Sequence, residues 1–304
     1  MRGPSLGECA SSYRAVLQSP GMADQLPPGY SPSPRPSYDV PTLVRRIDVK
    51  RHIWGDRESG LVADWLYAST SRLHVLLFGL APGKWFRHSP AFRTVFGADE
   101  VLYVLSGAML ASNPQTGEVV ECEAGESVFF RKGTWHHVRA QGSEALRVLE
   151  FFAPPPSQGT SGAYAATQPY IDKPSYRRDA LIGKLADAAP AGATLRVIGR
   201  RERSLRLEGE IAVGLLASTE HLTVAELTVP SGANGERTAH GGDAMIFGLE
   251  GELMIRTQWQ GASTTFEIGP HDAVFIPQHG EYEVHSFSHA ARALLGVAPT
   301  YLAP

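Results

Sequence analysis

Residues 97–137 read GADEVLYVLSGAMLASNPQTGEVVECEAGESVFFRKGTWHH. Asp99 and Glu100 lead into the apolar run Val101-Leu102-Tyr103-Val104-Leu105, which stops at Ser106-Gly107. Asn113-Pro114-Gln115-Thr116-Gly117 is a turn cluster, because these residues accept the backbone angles of a reversal. Gly125-Glu126 forms a second turn before Ser127-Val128-Phe129-Phe130, and Lys132-Gly133-Thr134-Trp135-His136-His137 follows. Short apolar runs between such turns predict successive β-strands, followed by a pair of histidines.

The stretch resembles the cupin superfamily. The first motif of that family ends in a glutamate, six residues and a glycine, as in Glu100 to Gly107 here. The second runs Gly-x5-Pro-x-Gly-x2-His, matched by Gly125, Gly133 and His136, with Arg131 in place of the proline. The resemblance implies an all-β fold of double-stranded β-helix, jelly-roll-like barrels. In metal-binding cupins a His-x-His pair precedes the glutamate; the corresponding positions here are Thr94 and Phe96.

His136 matches the family histidine that points into the barrel, and strand alternation then sends His137 outward. Glu100 and His136 are two of the family's metal ligands. Three protein ligands and an open position are the usual minimum for a catalytic metal. A metal-free barrel is therefore favoured, with His136 as acid/base group and Glu100 tuning or orienting it. The competing expectation is one divalent Fe, Mn, Zn or Ni, held by His136, Glu100 or His240 in a non-standard set. Residues 84–96 carry His88, Arg87 and Arg93. His88 and Arg93 are candidate substrate contacts, since a guanidinium pairs with carboxylate or phosphate. Tyr103, Phe129 and Trp135 are candidate walls of the pocket.

Upstream, residues 73–80 are nearly continuous in apolar side chains, which predicts a strand buried on both faces. Residues 1–42 are expected to form an arm: the prolines of residues 26–38 block helix and sheet ladder alike. Downstream, residues 145–153 close the first barrel, assigned to residues 43–158. Residues 159–200 are a connector with a short helix over 176–188, capped by Ser175.

Residues 201–304 repeat the first barrel in worn form. Residues 247–251 echo 103–107, and residues 274–277 echo 128–131. In that alignment Glu100 falls on Ala244, Phe96 on His240 and His136 on Tyr282, so Tyr282 and His240 are the candidate groups of a second pocket. The chain is read as a bicupin with two barrels.

The net charge of −3 carries no basic footprint, so nucleic acid is not expected as a partner. Two distant cysteines fit a reducing compartment, no apolar run is long enough for a membrane span, and no signal peptide is seen. A cytoplasmic homodimer acting on a small molecule is expected. Three functions are expected in turn: an acid/base enzyme of isomerase, cyclase, dehydratase or lyase type acting on a small, partly apolar metabolite, acidic or not; a metal-dependent dioxygenase or other oxygenase with a non-standard ligand set; and a non-catalytic small-molecule binding or sensor protein.

Overall fold

A computed structural model describes residues 33–87, 96–154, 193–287 and 289–301. The first half contains β1 (Thr42–Val44), β2 (Lys50–Trp54), β3 (Val62–Ser69), β4 (His74–Leu80), β5 (Trp85–Phe86), β6 (Asp99–Ser106), β7 (Ala108–Ser112), β8 (Val119–Glu123), β9 (Ser127–Phe130), β10 (His137–Gln141) and β11 (Leu146–Ala153). The second contains β12 (Arg196–Ile198), β13 (Ser204–Glu208), β14 (Ile211–Ser218), β15 (Thr223–Val229), β16 (Thr238–Ala239), β17 (Asp243–Glu250), β18 (Leu253–Trp259), β19 (Ala262–Ile268), β20 (Ala273–Ile276), β21 (Glu281–His285) and β22 (Ala291–Ala298). All described elements are strands. The arm before residue 33 and the helix expected over 176–188 lie outside the described residues.

Each half pairs a seven-stranded with a four-stranded antiparallel sheet. The first half has the orders β12-β9-β6-β11-β4-β3-β2 and β5-β10-β7-β8; the second has β1-β20-β17-β22-β15-β14-β13 and β16-β21-β18-β19. The two sets of orders superimpose strand for strand, so the repeat read from the motifs extends through the whole barrel. Even a register shift recurs, between Leu66 and Ala68 in β3 and between Leu215 and Ala217 in β14.

The pairing does not follow the boundaries expected from the sequence. Strand β1 opens the first half but pairs with β20, and β12, expected in the connector, pairs with β9 of the first barrel. Each leading strand completes the edge of the other half's large sheet. A sheet edge left bare exposes unpaired backbone groups, so each exchange satisfies one edge in the opposite barrel.

Alternation explains the continuous apolar strands. In β4, Leu76, Phe78 and Leu80 face the interior of the first barrel, while Val75 and Leu77 face a core shared by the two large sheets. The shared core takes Val101, Tyr103 and Phe151 from one sheet and Met245, Phe247 and Phe275 from the other. Each such Leu, Val or Phe, fully removed from water, contributes about 1.5–3 kcal/mol. The described end of the arm joins here too. The Tyr38 hydroxyl donates to Tyr67 O at 3.0 Å, and the Tyr38 ring lies 5.4 Å from that of Phe275.

Two departures from ordinary strand chemistry have clear causes. Gly107 and Gly251 end β6 and β17 at φ +74° and +71°, where a Cβ would come within 3.0 and 2.8 Å of carbonyl oxygens. Only glycine meets both demands. Arg131, which replaces the motif proline, forms an ion pair with Asp99 Oδ2 at 3.2 Å and grips both carboxylate oxygens of Glu220, tying the first barrel to the second.

Candidate functional site

The first barrel encloses a cavity of about 80 Å³ lined by Trp54, Val62, Asp64, Leu76, Phe78, Phe86, Phe96, His136, Glu150 and Phe152. Strands β3 and β11 of the large sheet and the turn before β10 supply its polar lining, Asp64, Glu150 and His136, and Glu100 stands beside them on β6. Glu100 and Glu150 stand on the adjacent strands β6 and β11, and Asp64 on β3. His136 reaches in from the small sheet's side, its ring 4.6 Å from that of Phe130 and 5.9 Å from that of Phe86.

Glu100 is 1% and His136 4% exposed. His136 Nδ1 lies 3.4 Å from Thr134 O, which can only accept, a contact that favours the tautomer with its proton on Nδ1 and its basic lone pair on Nε2. Nε2 faces Glu100 Oε2 at 4.0 Å. That carboxylate oxygen is buried and has no hydrogen-bond partner among the described residues.

Burial raises the Glu100 carboxyl well above its ordinary value, and the neighbouring Glu150 and Asp99 raise it further. Glu150 is raised by burial as well, with the Asp64 charge adding to it. The two glutamates hydrogen-bond each other, which requires a proton between them. Burial also raises Asp64, partly offset by His52, whose Nδ1 lies 3.7 Å from Asp64 Oδ2. Burial lowers His136 to about 4, the Thr134 contact opposing it. The site therefore sets a neutral imidazole across from a carboxyl pair that burial biases towards holding a proton.

His136 and Glu100 thus come together as expected, whereas Tyr103 and Phe129 do not line the pocket. Glu100, Leu102 and Val104 face inward, so alternation turns Tyr103 to the shared core, where its hydroxyl donates to Glu226 Oε2 at 2.7 Å. Phe130 pairs with Glu100 and faces inward, so Phe129 likewise packs on the shared core. Trp135 is buried in the turn before β10 but is not a cavity-lining residue. Arg87 sits at the exposed rim, donating to Glu58 O at 3.2 Å. His88 and Arg93 lie outside the described residues.

Reasoning from the sequence missed Glu150 and Asp64. The available signal was a carboxylate inside an otherwise apolar run, as in Val148-Leu149-Glu150-Phe151-Phe152.

In the second barrel His240 and Tyr282 do meet, but as a closed chain. His240 Nδ1 donates to Tyr301 O at 2.6 Å, Tyr282 Oη donates to His240 Nε2 at 2.7 Å, and Tyr301 Oη donates to Glu208 Oε1 at 2.7 Å. Both ring nitrogens of His240 are thus engaged, one by Tyr301 and one by the Tyr282 hydroxyl. Asp243 is taken by Thr70 Oγ1 at 2.7 Å and by Gln278 N at 3.0 Å.

Phe96, at one of the two positions where the resemblance implies histidine, presents a phenyl ring stacked on Phe152 at 5.2 Å. Among the described residues no group of three His, Cys, Asp or Glu side chains is placed to hold a metal ion. Glu100 and His136 alone do not make such a centre.

A strand order repeated once in the chain, with a glutamate strand closed by a glycine and a histidine across from it in the first half, is the architecture of a two-barrel cupin fold. Residues 97–152 match a family model described as a cupin domain, and the chain as a whole has the two-barrel fold of the bicupins. No curated protein matches the sequence significantly. Among solved structures, the Lactobacillus farciminis oxalate decarboxylase formate complex superposes with a TM-score of 0.61 at 12% identity, over 88% of this chain and 89% of that one. Streptomyces albus HEPD, with substrate 2-hydroxyethylphosphonate and Fe(II) bound, gives 0.64 at 12% identity, over 87% and 77%. A putative glyoxylate-induced protein from Pseudomonas aeruginosa gives 0.59 at 14% identity, over 92% and 97%. At these identities the likeness is one of fold.

Proposed function

We propose that the first barrel is the active site of a small-molecule enzyme working by proton transfer, of isomerase or lyase type. The observation that carries this reading is the buried Glu100 Oε2 facing His136 Nε2 across 4.0 Å, beside an apolar cavity. The gap is too long for a hydrogen bond between the two. A substrate oxygen or carbon lying against both would meet a base on one side and an acid on the other. His136 Nε2 removes a proton from a carbon next to a carbonyl, while the proton held by Glu100 and Glu150 passes to the carbonyl oxygen. Return of the two protons at exchanged positions completes an isomerisation. Loss of a leaving group from the same enol completes an elimination.

The cavity favours a compact, mostly apolar substrate. Its lining offers carboxyl groups and no cation, which argues for an uncharged molecule over the acidic one suggested by Arg93. Aromatic walls exclude water and so strengthen each polar contact inside.

The test is solvent-proton exchange. Compact ketones and hydroxyketones are incubated with the protein in heavy water and followed by proton NMR. Exchange next to the carbonyl should fall about 10²–10⁴-fold in His136→Ala, the usual contribution of a general base, with the circular dichroism unchanged. An exchange rate indifferent to His136→Ala would overturn the proposal. So would one bound transition-metal ion per chain that is lost in the same variant.

A further inference from the structure

The outer face of the sheet that carries this site forms one wall of a second cavity. It is a cleft of about 590 Å³ where the two barrels meet, lined by Arg45, Arg46, Arg51, Arg147, Trp65 and His271 among others. Strand alternation sets the two cavities back to back: His52, Asp64 and Val148 face the barrel interior, and their neighbours Arg51, Trp65 and Arg147 face the cleft.

The repeat supplies an internal reference. Arg292 holds in β22 the register position that Arg147 holds in β11, opposite Thr228 and Gly79 respectively. At that end of the interface the guanidinium has a built-in anion. Glu226 accepts from Arg292 Nε at 2.9 Å and Nη2 at 2.8 Å, and pairs with Arg203 at 2.7 Å. At the other end the residue in Glu226's place is Leu77. Arg147 lies instead over the Trp65 ring, 4.6 Å from its centroid. Among the described residues the cleft has one carboxylate, Asp272, which pairs with Arg45 at 3.5 Å. Arg46, Arg51 and Arg147 have no carboxylate partner there.

His271 closes the cleft from the second barrel. Its backbone is held at φ +70°, with its carbonyl accepting from Tyr67 Oη at 2.7 Å. A residue other than glycine rarely adopts that conformation without a local constraint. Guanidinium groups gathered without counter-charge repel one another, and an anion bridging them removes that cost.

We propose that the cleft binds a small, multiply charged anion, phosphorylated or polycarboxylic, in the role that Glu226 fills at the opposite end. Arg147, Arg46 and Arg51 supply the charge-assisted hydrogen bonds, and Trp65 holds the Arg147 plane in place.

The test is calorimetric titration of the full chain with pyrophosphate and, separately, citrate, at constant ionic strength. Binding of either supports the site, and the tighter of the two identifies phosphate or carboxylate chemistry. Arg147→Gln and Arg51→Gln should each weaken binding at least about tenfold. Leu77→Glu, which installs the missing internal anion, should abolish it. Leu77 is buried, so if that variant does not fold, the exposed Arg46→Gln and Arg51→Gln decide the matter. Absence of binding by both anions at millimolar concentration, or affinities unchanged in the arginine variants, would refute the proposal.

Discussion

Burial drives the groups of the first barrel in opposite directions. It lowers His136 to about 4 and raises Glu100 and Glu150 above the ordinary carboxylate range. The base is competent above about pH 4, where the imidazole is neutral. The acid is competent until the shared proton is lost on the alkaline side. The rate of proton transfer should therefore hold a plateau that starts unusually low for a histidine base and falls above the raised carboxyl value. Glu150→Gln removes a charge and a hydrogen bond that both raise Glu100, so the alkaline limb should move to lower pH while the acid limb stays put. A pH–rate series on the two proteins reads this directly, and coincident profiles would contradict the shared proton. Glu100 and His136 were legible in the sequence because spacing to Gly107 and Gly133 fixes them. Parity counted from Glu100 also assigns Tyr103 to the outer face, so that error was avoidable. Glu150 and Asp64 stood out only as carboxylates within apolar strands; their convergence was not legible, because the pairing of β6 with β11 and of β3 with β4 is what brings them together.

At the scale of elements, the ends of β6 and β17 test how the barrels close. Gly107→Ala places a Cβ 3.0 Å from Ala145 O in a left-handed backbone. Gly133, also left-handed at φ +80°, has nothing within 4 Å of the same atom. Strain of the first kind costs about 1–3 kcal/mol, whereas Gly133→Ala carries the backbone term alone, about 1–2 kcal/mol. Thermal unfolding should show the larger loss for Gly107→Ala, at about 2–4 °C per kcal/mol for a chain of this size. Equal losses would mean that the carbonyl contact is relieved by movement of the turn before β11. The strands themselves were readable as short apolar runs between turn residues. The exchange of β1 and β12 was not, because a three-residue strand carries no periodicity and its partner lies far away in sequence.

For the whole molecule, the two halves share a fold and divide the chemistry. The first keeps a cavity beside its motif residues; in the second the equivalent positions carry the hydrogen-bonded chain of His240, Tyr282 and Tyr301. The halves are joined by the shared core and by both exchanged edges, so the covalent link between Pro154 and Ala193 is not what holds them together. A protease site inserted in that link, once cut, should leave two fragments that travel as one particle in gel filtration and separate only in denaturant. Separation under native conditions would show that the exchanged strands contribute little.

The exchange also has a reading in descent. Each half sends the strand that precedes it to its sister, which is how two identical one-barrel subunits would clasp arms. Duplication of such a gene, followed by fusion end to end, preserves every inter-subunit contact while freeing one copy from the chemistry of the other. A chain so built carries its own barrel partner inside itself, and its two halves differ at Phe96 against His240 and at Leu77 against Glu226.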